Sequence, residues 1–457
     1  MKKTLTLKIS ISGVRGVVGD SLTPQLASHF AQAFGTYLNG GKVLVGQDPR
    51  ISGVMVKNAV FSGLLSVGCQ PVDLGICPIP SFLYLTKESE GKGGIVVTAS
   101  HNPDDWNGLK FISEEGLYLN PSQTEEFLDI YHQGEFSMVK ADKYKAILSE
   151  EDPTMPHFHK LLAYLDVHPI REKKFKVVAD CCRGAGAKLL PKFLKSLGCH
   201  VILVNEKIDS ARPHHHEPTV SNITHLCHEV RAQKADIGFA QDADADRLAI
   251  VDEKGRALGE ELTLALAMNH VLAGKPGPVV TNLSTTRALD DLARRYGVPI
   301  FRTKIGEIHV VQELLRQKGI IGGEGNGGVI YPEIHPCRDS FAAMGLVLEA
   351  MARCGKTVSQ LRDEIPLYYM MKDKVQGSFQ QAYGILRGLT KKYAGQQKIS
   401  TLDGLKIEYE NAWVHIRPSN TEPIIRVIAE AGSPREAQTM MRQFKKEILG
   451  LKTWKSS

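Results

Sequence analysis

The sequence predicts an α/β fold, in which largely parallel sheets carry helices on both faces. Two observations support this prediction. Short β-branched runs such as Lys42–Gly46 and Lys176–Asp180 recur along the chain and end in glycine or polar turns. Helical stretches follow the runs, as where Val56, Val60 and Leu64 repeat on one face. Strands that alternate with helices are typical of parallel sheets, in which ligands bind at the carboxyl ends of the strands.

Further runs of this kind predict strands at 94–98, 200–204 and 278–281. The 457 residues correspond to about three domains, or to four small ones. Charged or proline-bearing segments mark candidate boundaries at 150–156, near 253–256 and near 372–377. The last segment differs, because strand-like runs there precede one helix that begins with a capping box at Ser433–Glu436. The apolar face of that helix consists of Ala437, Met440, Met441, Phe444 and Ile448.

The composition is that of an ordinary globular protein, with 42% hydrophobic and 23% charged residues. The net charge of +6 is small for this length, which argues against a nucleic-acid binder and suits anionic small substrates. No apolar stretch is long enough for a membrane span. The eight cysteines are scattered and form no C-x-x-C pair, so we expect reduced thiols and a cytoplasmic location.

The segment Thr98–Pro103 (TASHNP) directly follows an apolar strand. A serine on a sharp turn at a strand end is exposed and positioned for nucleophilic chemistry, which makes Ser100 a candidate nucleophile. The structural alternative is that Ser100 only caps a following helix. Ser12–Gly16, Gly46–Arg50 and Asn107–Lys110 also lie at strand ends or turns and contain basic residues, but each alone favours a structural role.

The segment 242–247 (DADADR) is the strongest local signal. Asp242, Asp244 and Asp246 alternate with alanines, and three neighbouring carboxylates repel one another unless a cation lies among them. Their hard oxygen ligands favour Mg²⁺. Two alternatives remain: an acidic structural turn, or a calcium loop with Glu253 at its twelfth position. The calcium loop is disfavoured because its sixth position is Arg247 rather than glycine.

Two more segments indicate recognition of a sugar and a phosphate. The glycine-rich segment 322–328 (GGEGNGG) presents Glu324 and Asn326, which suit adjacent sugar hydroxyls. The segment 417–423 (RPSNTEP), followed by Arg426, combines arginines, hydroxyls and an amide, a set typical of a phosphate cradle. A solvated polar hairpin is the alternative for this second segment. We interpret His214–His216 as a polar loop rather than as a metal site.

Taken together, the motifs resemble those of the α-D-phosphohexomutases, the family of phosphoglucomutases, phosphomannomutases and phosphoglucosamine mutases. TASHNP is similar to the phosphoserine loop of the family, DADADR to its metal loop, GGEGNGG to its sugar loop and RPSNTEP to its phosphate-binding loop, in the same order. The resemblance implies three related mixed-sheet α/β domains and a smaller α+β domain around a central cleft. The corresponding boundaries are 1–152, 153–254, 255–370 and 371–457.

The resemblance also implies a mechanism. Ser100 carries a phosphoryl group, and one Mg²⁺ per chain is held by the three aspartates and a phosphoserine oxygen. Hexose 1,6-bisphosphate is the intermediate and the activator. Residues implied near the transferring phosphoryl group are Arg15, Lys110 and Arg247, with Lys110 or His101 as general acid or base. Residues implied in substrate binding are Glu324, Asn326, Arg417, Ser419, Asn420, Thr421 and Arg426.

The chain departs from many bacterial relatives in the sugar loop, where Asn326 and Gly328 replace a serine and a histidine. A proton-transfer role of that histidine therefore does not carry over. Glu307 stands where some relatives have histidine. Glucose, mannose and glucosamine phosphates are all possible substrates, with phosphoglucosamine favoured. A phosphoserine-dependent phosphatase or phosphotransferase and a silent sugar-phosphate binder are the alternative functions. The expected partners are small sugar phosphates, with no nucleic acid and no membrane, for a monomer or homodimer.

Overall fold

The chain folds into two compact units. The first contains the chain up to His270 together with Asn326–Arg362, and the second contains Val271–Gly325 together with the chain from Asp363 onward. Each unit therefore joins segments that are distant in the sequence. The computed structural model describes residues 6–11, 13–100, 102–209, 217–419 and 423–453.

Among the described residues of the first unit, a seven-stranded mixed sheet has the order β1-β2-β6-β5-β3-β4-β7. Its strands are β1 (Lys8–Ser10), β2 (Gly13–Val17), β3 (Gly41–Gln47), β4 (Cys69–Ile76), β5 (Gly91–Val97), β6 (Trp106–Ser113) and β7 (Leu148–Ser149). The helices are α1 (Pro24–Tyr37), α2 (Gly53–Ser66), α3 (Ile79–Glu88) and α4 (Pro121–Gln133), with a 3₁₀ turn at Ala141–Lys143. β3 pairs in parallel with β4 and β5, whereas β6 pairs antiparallel with β5 and β2.

Helices cover both faces of this sheet, as the sequence predicts. Val43 and Val45 of β3 belong to a buried cluster that contains Val60 of α2. Leu44, which lies between them, belongs to a second cluster with Phe82 of α3. Because successive residues of a strand point to opposite faces, β3 is buried from both sides. Each such side chain contributes about 1.5–3 kcal/mol to stability through burial, which explains the continuous apolar run in the sequence.

The next sheet of the first unit has the order β11-β10-β8-β9. Its strands are β8 (Lys176–Asp180), β9 (His200–Val204), β10 (Ile237–Gln241) and β11 (Leu248–Asp252). The helices are α5 (Met155–Tyr164), α6 (Val167–Lys173), α7 (Leu189–Ser196) and α8 (Thr224–Gln233), with a 3₁₀ turn at Ala185–Lys188. β8 pairs in parallel with β9 and β10, and β10 pairs antiparallel with β11. The segment 242–247 is therefore the connection of a β-hairpin.

The following segment contributes to both units. It contains α9 (Glu260–Gly274), β12 (Val279–Asn282), α10 (Ala288–Arg295), β13 (Ile300–Thr303), α11 (Glu307–Gln317), β14 (Ile321–Glu324), β15 (Gly328–Tyr331), β16 (His335–Arg338), α12 (Ser340–Cys354) and α13 (Val358–Asp363). In the second unit β12 pairs in parallel with β13 and β14. In the first unit β15 and β16 pair antiparallel, and α12 follows them directly.

The second unit also contains an antiparallel sheet of order β17-β21-β20-β19-β18. Its strands are β17 (Tyr369–Gln376), β18 (Lys398–Ser400), β19 (Leu405–Glu408), β20 (Ala412–Pro418) and β21 (Ile424–Ala431), and its helices are α14 (Phe379–Tyr393) and α15 (Pro434–Thr453). Ser433 caps α15, because its Oγ accepts a hydrogen bond of 3.3 Å from the Glu436 amide. Phe444 and Ile448 of the predicted apolar face are buried against the sheet.

The helices and the cysteines bear on the predicted environment of the chain. Within the described ranges, no helix is both long enough and apolar enough to cross a membrane. The eight cysteines all lie in described segments and none of them forms a disulfide bond. Most of them are buried, and burial raises the pKa of Cys69 to about 11 and that of Cys199 to about 12. Cys69 and Cys199 are therefore unreactive packing residues.

Candidate active site

The predicted serine turn lies at the carboxyl end of β5. Ser100 has a left-handed backbone conformation (φ 53°). Its residue surface is 2% exposed, so the predicted exposure of this serine is wrong: the turn packs into the buried contacts around it. Thr98 Oγ1 accepts a hydrogen bond of 2.9 Å from the Ser100 amide and donates one of 2.7 Å to Asp48 Oδ2. A non-glycine residue in this conformation costs about 1–2 kcal/mol, so the surrounding contacts must hold it. The element that follows is the strand β6, and the helix-cap alternative for Ser100 is therefore wrong.

Arg50 fixes the serine turn through hydrogen bonds to its carbonyl oxygens, a role that no sequence pattern indicated. Its Nη2 donates to the carbonyl oxygens of Ser100 (2.6 Å) and Asn102 (2.8 Å). Its Nη1 donates to the carbonyl oxygens of Pro103 (2.7 Å) and Trp106 (3.1 Å). Asp48 Oδ2 accepts from Nε at 3.0 Å, and the ion pair is almost completely buried. The rigid fork of a guanidinium is suited to such a set of contacts.

The aspartates of segment 242–247 meet because the chain turns between β10 and β11. Asp242 Oδ1 accepts hydrogen bonds of 3.1 Å from the amides of Asp246 and Arg247, and Ala245 has a left-handed φ of 61°. All three aspartates are buried, and one oxygen from each lies within 4.8 Å of the others. The calcium alternative is wrong, because strands flank this loop and the Glu253 carboxylate instead accepts hydrogen bonds from the amide and hydroxyl of Ser359.

The aspartates differ in their electrostatic surroundings. Burial raises the pKa of Asp242 well above its usual value, and the charges of Asp246 and Asp244 raise it further. Burial acts in the same direction on Asp244, but Lys110 outweighs it and lowers the pKa of Asp244 below the usual range. Lys110 Nζ lies 3.0 Å from Asp244 Oδ2, and both side chains are buried. Lys110 thus joins β6 of the serine sheet to the acidic loop.

A divalent cation fits this cluster. Asp242 Oδ2, Asp244 Oδ1 and Asp246 Oδ1 are buried and have no hydrogen-bond partner among the described residues. Buried carboxylate oxygens without a donor are costly, and a cation bound by all three would remove that cost. The all-oxygen donor set suits Mg²⁺ better than Zn²⁺.

Cationic side chains surround the acidic loop. Arg15 Nη1 donates a 3.0 Å hydrogen bond to Asn102 Oδ1, two residues after the serine. Burial lowers the pKa of Arg15, Asp244 raises it and Arg247 lowers it, so Arg15 lies near both loops. Arg247 Nη1 donates to Glu217 Oε1 at 2.8 Å. These contacts connect Lys110 and Arg247 to the acidic loop, and they connect Arg15 both to that loop and to the turn that contains Ser100.

The segment that starts α12 supports the acidic loop, and the sequence did not indicate this role. The Arg338 guanidinium donates to Asp246 Oδ2, and Ser340 Oγ donates to the Ala245 carbonyl at 2.6 Å. Between them, Asp339 Oδ2 lies 2.9 Å from His157 Nε2, whose Nδ1 lies 3.0 Å from Ser81 Oγ. Ser81, His157 and Asp339 are each at most 2% exposed. These three residues resemble the triad of a hydrolase, but they are buried. We therefore interpret them as a hydrogen-bonded connection between α3, α5 and the start of α12.

The second unit contains the predicted sugar-binding glutamate. Glu324, at the end of β14, is 4% exposed, and its Oε1 accepts hydrogen bonds of 2.9 Å from Asn282 Nδ2 and from the Gly306 amide. His309 lies nearby on α11: burial lowers its pKa, Lys304 lowers it further, and Asp403 and Glu324 raise it. Asn326 belongs to the first unit, where its Oδ1 accepts a hydrogen bond of 3.2 Å from the Gly328 amide.

Two predicted phosphate ligands lie opposite each other on adjacent strands of the second unit. Arg417 of β20 pairs with Arg426 of β21. Arg417 Nε is buried, has no hydrogen-bond partner in the described segments, and lies 3.6 Å from Asp403 Oδ1. Like charges at opposed strand positions destabilise a sheet unless an anion joins them. Ser419 is buried beyond the end of β20. Asn420, Thr421 and the candidate acid–base residue His101 lie outside the described residues, as do His214–His216.

Family models match the chain in sequence order. They describe α/β/α domains I, II and III of phosphoglucomutase/phosphomannomutase, at residues 7–138, 155–255 and 259–369, and the C-terminal domain, at residues 373–447.

Relatives cover nearly the whole chain. A phosphoglucomutase/phosphomannomutase of Thermococcus kodakarensis is 39% identical over 435 residues, covering 93% of this chain and 95% of that protein. A protein of Methanopyrus kandleri, named probable phosphoglucosamine mutase, is 34% identical over 436 residues, covering 95% and 96%. The crystal structure of a phosphoglucomutase/phosphomannomutase family protein from Burkholderia thailandensis matches with a TM-score of 0.83 at 26% identity, covering 97% of this chain and 98% of that one. This chain is an enzyme of the phosphoglucomutase/phosphomannomutase family.

Proposed function

We propose that this enzyme interconverts hexose 1-phosphates and hexose 6-phosphates through a phosphorylated Ser100 and a hexose 1,6-bisphosphate intermediate. The observation that carries this proposal is the buried cluster of Asp242, Asp244 and Asp246, whose unsatisfied oxygens lie in the same unit as Ser100 and beside Lys110. A hydroxyl on a strained turn and a cation site are the components that phosphoryl transfer needs. The relatives named as mutases give the reaction class.

In this proposal the three aspartates would hold one Mg²⁺ per chain, together with an oxygen of the phosphorylated serine. When bound, Mg²⁺ neutralises negative charge on the transferring phosphoryl group. Arg15 and Arg247 supply further positive charge near that group. Lys110, which donates to Asp244 Oδ2, also holds a proton at Nζ near the reacting oxygens. We assign Lys110 as the general acid or base, with His101 as the alternative.

The proposed reaction has two balanced transfers. In the first transfer the Ser100 Oγ–P bond breaks as the free hydroxyl of the hexose monophosphate forms a new O–P bond. The hydroxyl proton passes to the general base, and the leaving Ser100 Oγ takes up a proton to become a neutral hydroxyl. The bisphosphate then presents its other phosphoryl group. In the second transfer the sugar O–P bond of that group breaks as Ser100 Oγ forms a new O–P bond, the serine proton passes to the general base, and the leaving sugar oxygen takes up a proton. Added hexose 1,6-bisphosphate therefore acts as an activator, because it phosphorylates any chain whose serine is free.

The sugar and the non-reacting phosphate need binding groups of their own, and we assign these to the loops of the predicted motifs. Arg417 and Arg426, opposed on adjacent strands, with Ser419, would bind that phosphate in a charge-assisted manner. Asn420 and Thr421 complete this assignment by their place in the motif. Glu324 and Asn326 are assigned to the sugar hydroxyls.

Phosphoglucosamine is the favoured substrate of this proposal, with phosphoglucose and phosphomannose as alternatives. The carboxylate of Glu324 would attract the ammonium group of glucosamine, which the other two sugars lack. One relative carries a phosphoglucomutase/phosphomannomutase name and others carry a phosphoglucosamine mutase name. Selectivity among epimers depends on a few hydrogen bonds of about 1–3 kcal/mol each, so the three sugars must be compared directly.

The proposal also covers the domain boundaries, the cellular location and the oligomeric state of the enzyme. We propose domain boundaries at 1–152, 153–254, 255–370 and 371–457, close to the limits of the family matches. We also propose a cytoplasmic monomer or homodimer that acts on small sugar phosphates.

The test is a side-by-side assay of glucose, mannose and glucosamine 1-phosphates with Mg²⁺ and a catalytic amount of hexose 1,6-bisphosphate. We expect 6-phosphate to form without release of inorganic phosphate, and kcat/KM to be highest for glucosamine. Ser100→Ala should remove nearly all turnover, whereas Ser149→Ala, an exposed serine on an edge strand, should not. Full activity of the Ser100 variant would falsify its assignment, and stoichiometric phosphate release would favour a phosphatase.

A further inference from the structure

A cavity of about 450 Å³ lies within the second unit, and the proposed mechanism makes no use of it. One side is formed by the segment 283–302, which leads from β12 to β13, and the other by strands β18, β19 and β20. The volume is in the range of small-molecule sites in proteins.

The alternation of β19 explains why charged groups face this cavity. Leu405 and Ile407 point into the buried core beneath α14 and α15. Lys406 and Glu408 alternate with them and therefore point to the opposite face, where they line the cavity. Trp413 of β20 pairs with Glu408 and lies on the same face.

Most lining charges are already neutralised. The Arg302 guanidinium binds Asp290 Oδ2 at 2.6 Å and the carbonyl oxygens of Asn282, Thr285 and Thr286. Lys398 pairs with Glu408 at 2.7 Å. These cations hold the protein together and have little capacity left for a ligand.

Two lining cations remain without a carboxylate partner. Lys406 is 2% exposed, and its Nζ donates a 2.8 Å hydrogen bond to the Leu283 carbonyl and lies 4.5 Å from the centre of the Trp413 ring. An ammonium group has three donors, so this contact leaves donors for a ligand. Arg287 has a buried Nε with no hydrogen-bond partner among the described residues. Its Nη1 lies 3.4 Å from the Tyr409 carbonyl oxygen, and its guanidinium carbon lies 5.5 Å from the centre of the Tyr368 ring.

Burial without a counter-ion is unfavourable for the Lys406 ammonium and for the buried Nε of the half-buried Arg287. Burial lowers the pKa of Lys406 to about 7, and the neighbouring Arg302 lowers it further, whereas Glu408, Asp290 and Glu430 raise it. A bound anion would raise the pKa of Lys406 again. It would also accept hydrogen bonds from the unused donors of Lys406 and Arg287. Phosphate oxyanions are the common partners of paired arginine and lysine side chains.

We propose that this cavity is a second oxyanion site, which binds the phosphate group of a small phosphorylated molecule through Lys406 and Arg287. It is distinct from the Arg417–Arg426 pair. His415 lies between Trp413 and Arg417 on the same face of β20, and its Nδ1 lies 2.8 Å from Ser284 Oγ. The volume leaves room for more than a single phosphate group. The ligand is therefore a polyphosphate or a phosphorylated metabolite.

The test is calorimetric titration of the full chain with inorganic pyrophosphate. Arg426→Gln is used as the background, because it weakens the phosphate site of the proposed reaction. In this background we expect binding to persist and to weaken at least 10-fold when Lys406→Met or Arg287→Gln is added. Lys398→Gln, which removes an exposed lining cation already paired with Glu408, should change the affinity less than 2-fold.

The proposal is overturned if pyrophosphate binding disappears in Arg426→Gln alone, or if neither added substitution weakens it. Circular dichroism checks that each variant is folded. If Lys406→Met does not fold, the affinity of Arg287→Gln for pyrophosphate tests the proposal. Titrations with glucose 6-phosphate and hexose 1,6-bisphosphate then distinguish two classes of phosphorylated ligand, sugar phosphates and inorganic polyphosphates. Binding that depends on Lys406 identifies a sugar phosphate as the ligand, and binding of pyrophosphate alone identifies an inorganic polyphosphate. Because activity is not measured, the result is independent of the proposed mutase reaction.

Discussion

The guanidinium of Arg50 donates a 2.6 Å hydrogen bond to the carbonyl oxygen of Ser100, the candidate nucleophile. Its other donors go to Asp48 and to three more carbonyl groups of the same turn. The strained backbone at Ser100 is thus fixed by a side chain that does not itself reach the substrate in our proposal. Arg50 is therefore a positioning residue.

Arg50→Lys should lower kcat by about 100-fold and change the KM for the hexose phosphate by less than 3-fold. A lysine cannot form the forked contacts, and a displacement of about 1 Å at the nucleophile costs this much in rate. Steady-state kinetics and mass spectrometry of phosphorylated Ser100 measure the effect. Arg353→Lys, at a half-exposed ion pair, is the control. A folded Arg50 variant with normal kcat would contradict the assignment.

Asp242→Asn should raise the melting temperature of the metal-free protein and remove the stabilisation that Mg²⁺ gives to the wild type. The substitution takes one like charge out of the buried trio but keeps an oxygen for the amides of Asp246 and Arg247. Thermal melts with and without MgCl₂ measure both effects, with Asp166→Asn, at a half-exposed ion pair, as the control. The metal assignment fails if the variant keeps the full Mg²⁺-dependent shift.

Arg426→Gln should lower kcat/KM by about 10- to 100-fold, the effect of one charge-assisted hydrogen bond to phosphate. Its folding stability should stay equal or rise, because Arg426 lies opposite Arg417 in the sheet. Kinetics and thermal melts check the two parts separately. Arg435→Gln, exposed at the start of α15, should leave both unchanged. A loss of stability without a loss of kcat/KM would show a structural role instead.

Lys406 should make folding stability rise with pH between about 7 and 10. Its pKa is about 7 in the folded protein and about 10.4 in an unfolded chain. In this interval the unfolded chain binds more protons, so stability increases as pH rises. Lys406→Met removes this dependence. Its melting temperature relative to the wild type should therefore be highest near pH 6 and should fall as pH approaches 10.

Several groups that face Lys406 have shifted pKa values of their own. Burial raises the pKa of Asp290, but Arg302 outweighs it and lowers that pKa, whereas burial raises the pKa of Glu430. On the adjoining strand His415 has its pKa lowered to about 4 by burial, and burial raises that of Tyr409 to about 12. Because the variant and the wild type share these groups, the difference between their melts in buffers from pH 6 to 10 isolates Lys406. Parallel pH profiles for the variant and the wild type would disprove the prediction.

The strands and many site candidates could be predicted because the signals for them are local. A buried parallel strand needs a continuous apolar run, as in β3 and β8. Candidate functional residues lie in the turns that follow such strands. The aspartates of 242–247 could be identified as a candidate cation site because the repulsion between neighbouring carboxylates is a local property of the sequence. The close contact of Lys110 with Asp244 was not visible, because the two residues are 134 positions apart.

The sequence alone therefore determined the α/β class, and it indicated the candidate nucleophile, the candidate cation site and the candidate phosphate-binding motif. Only the tertiary structure revealed Arg50 as the support of Ser100, Arg338 as the partner of Asp246, and the cavity around Lys406. The reason is physical: backbone periodicity and charge density are properties of neighbouring residues. Hydrogen bonds such as that from Arg338 to Asp246, across 92 positions, depend on how whole strands and helices pack.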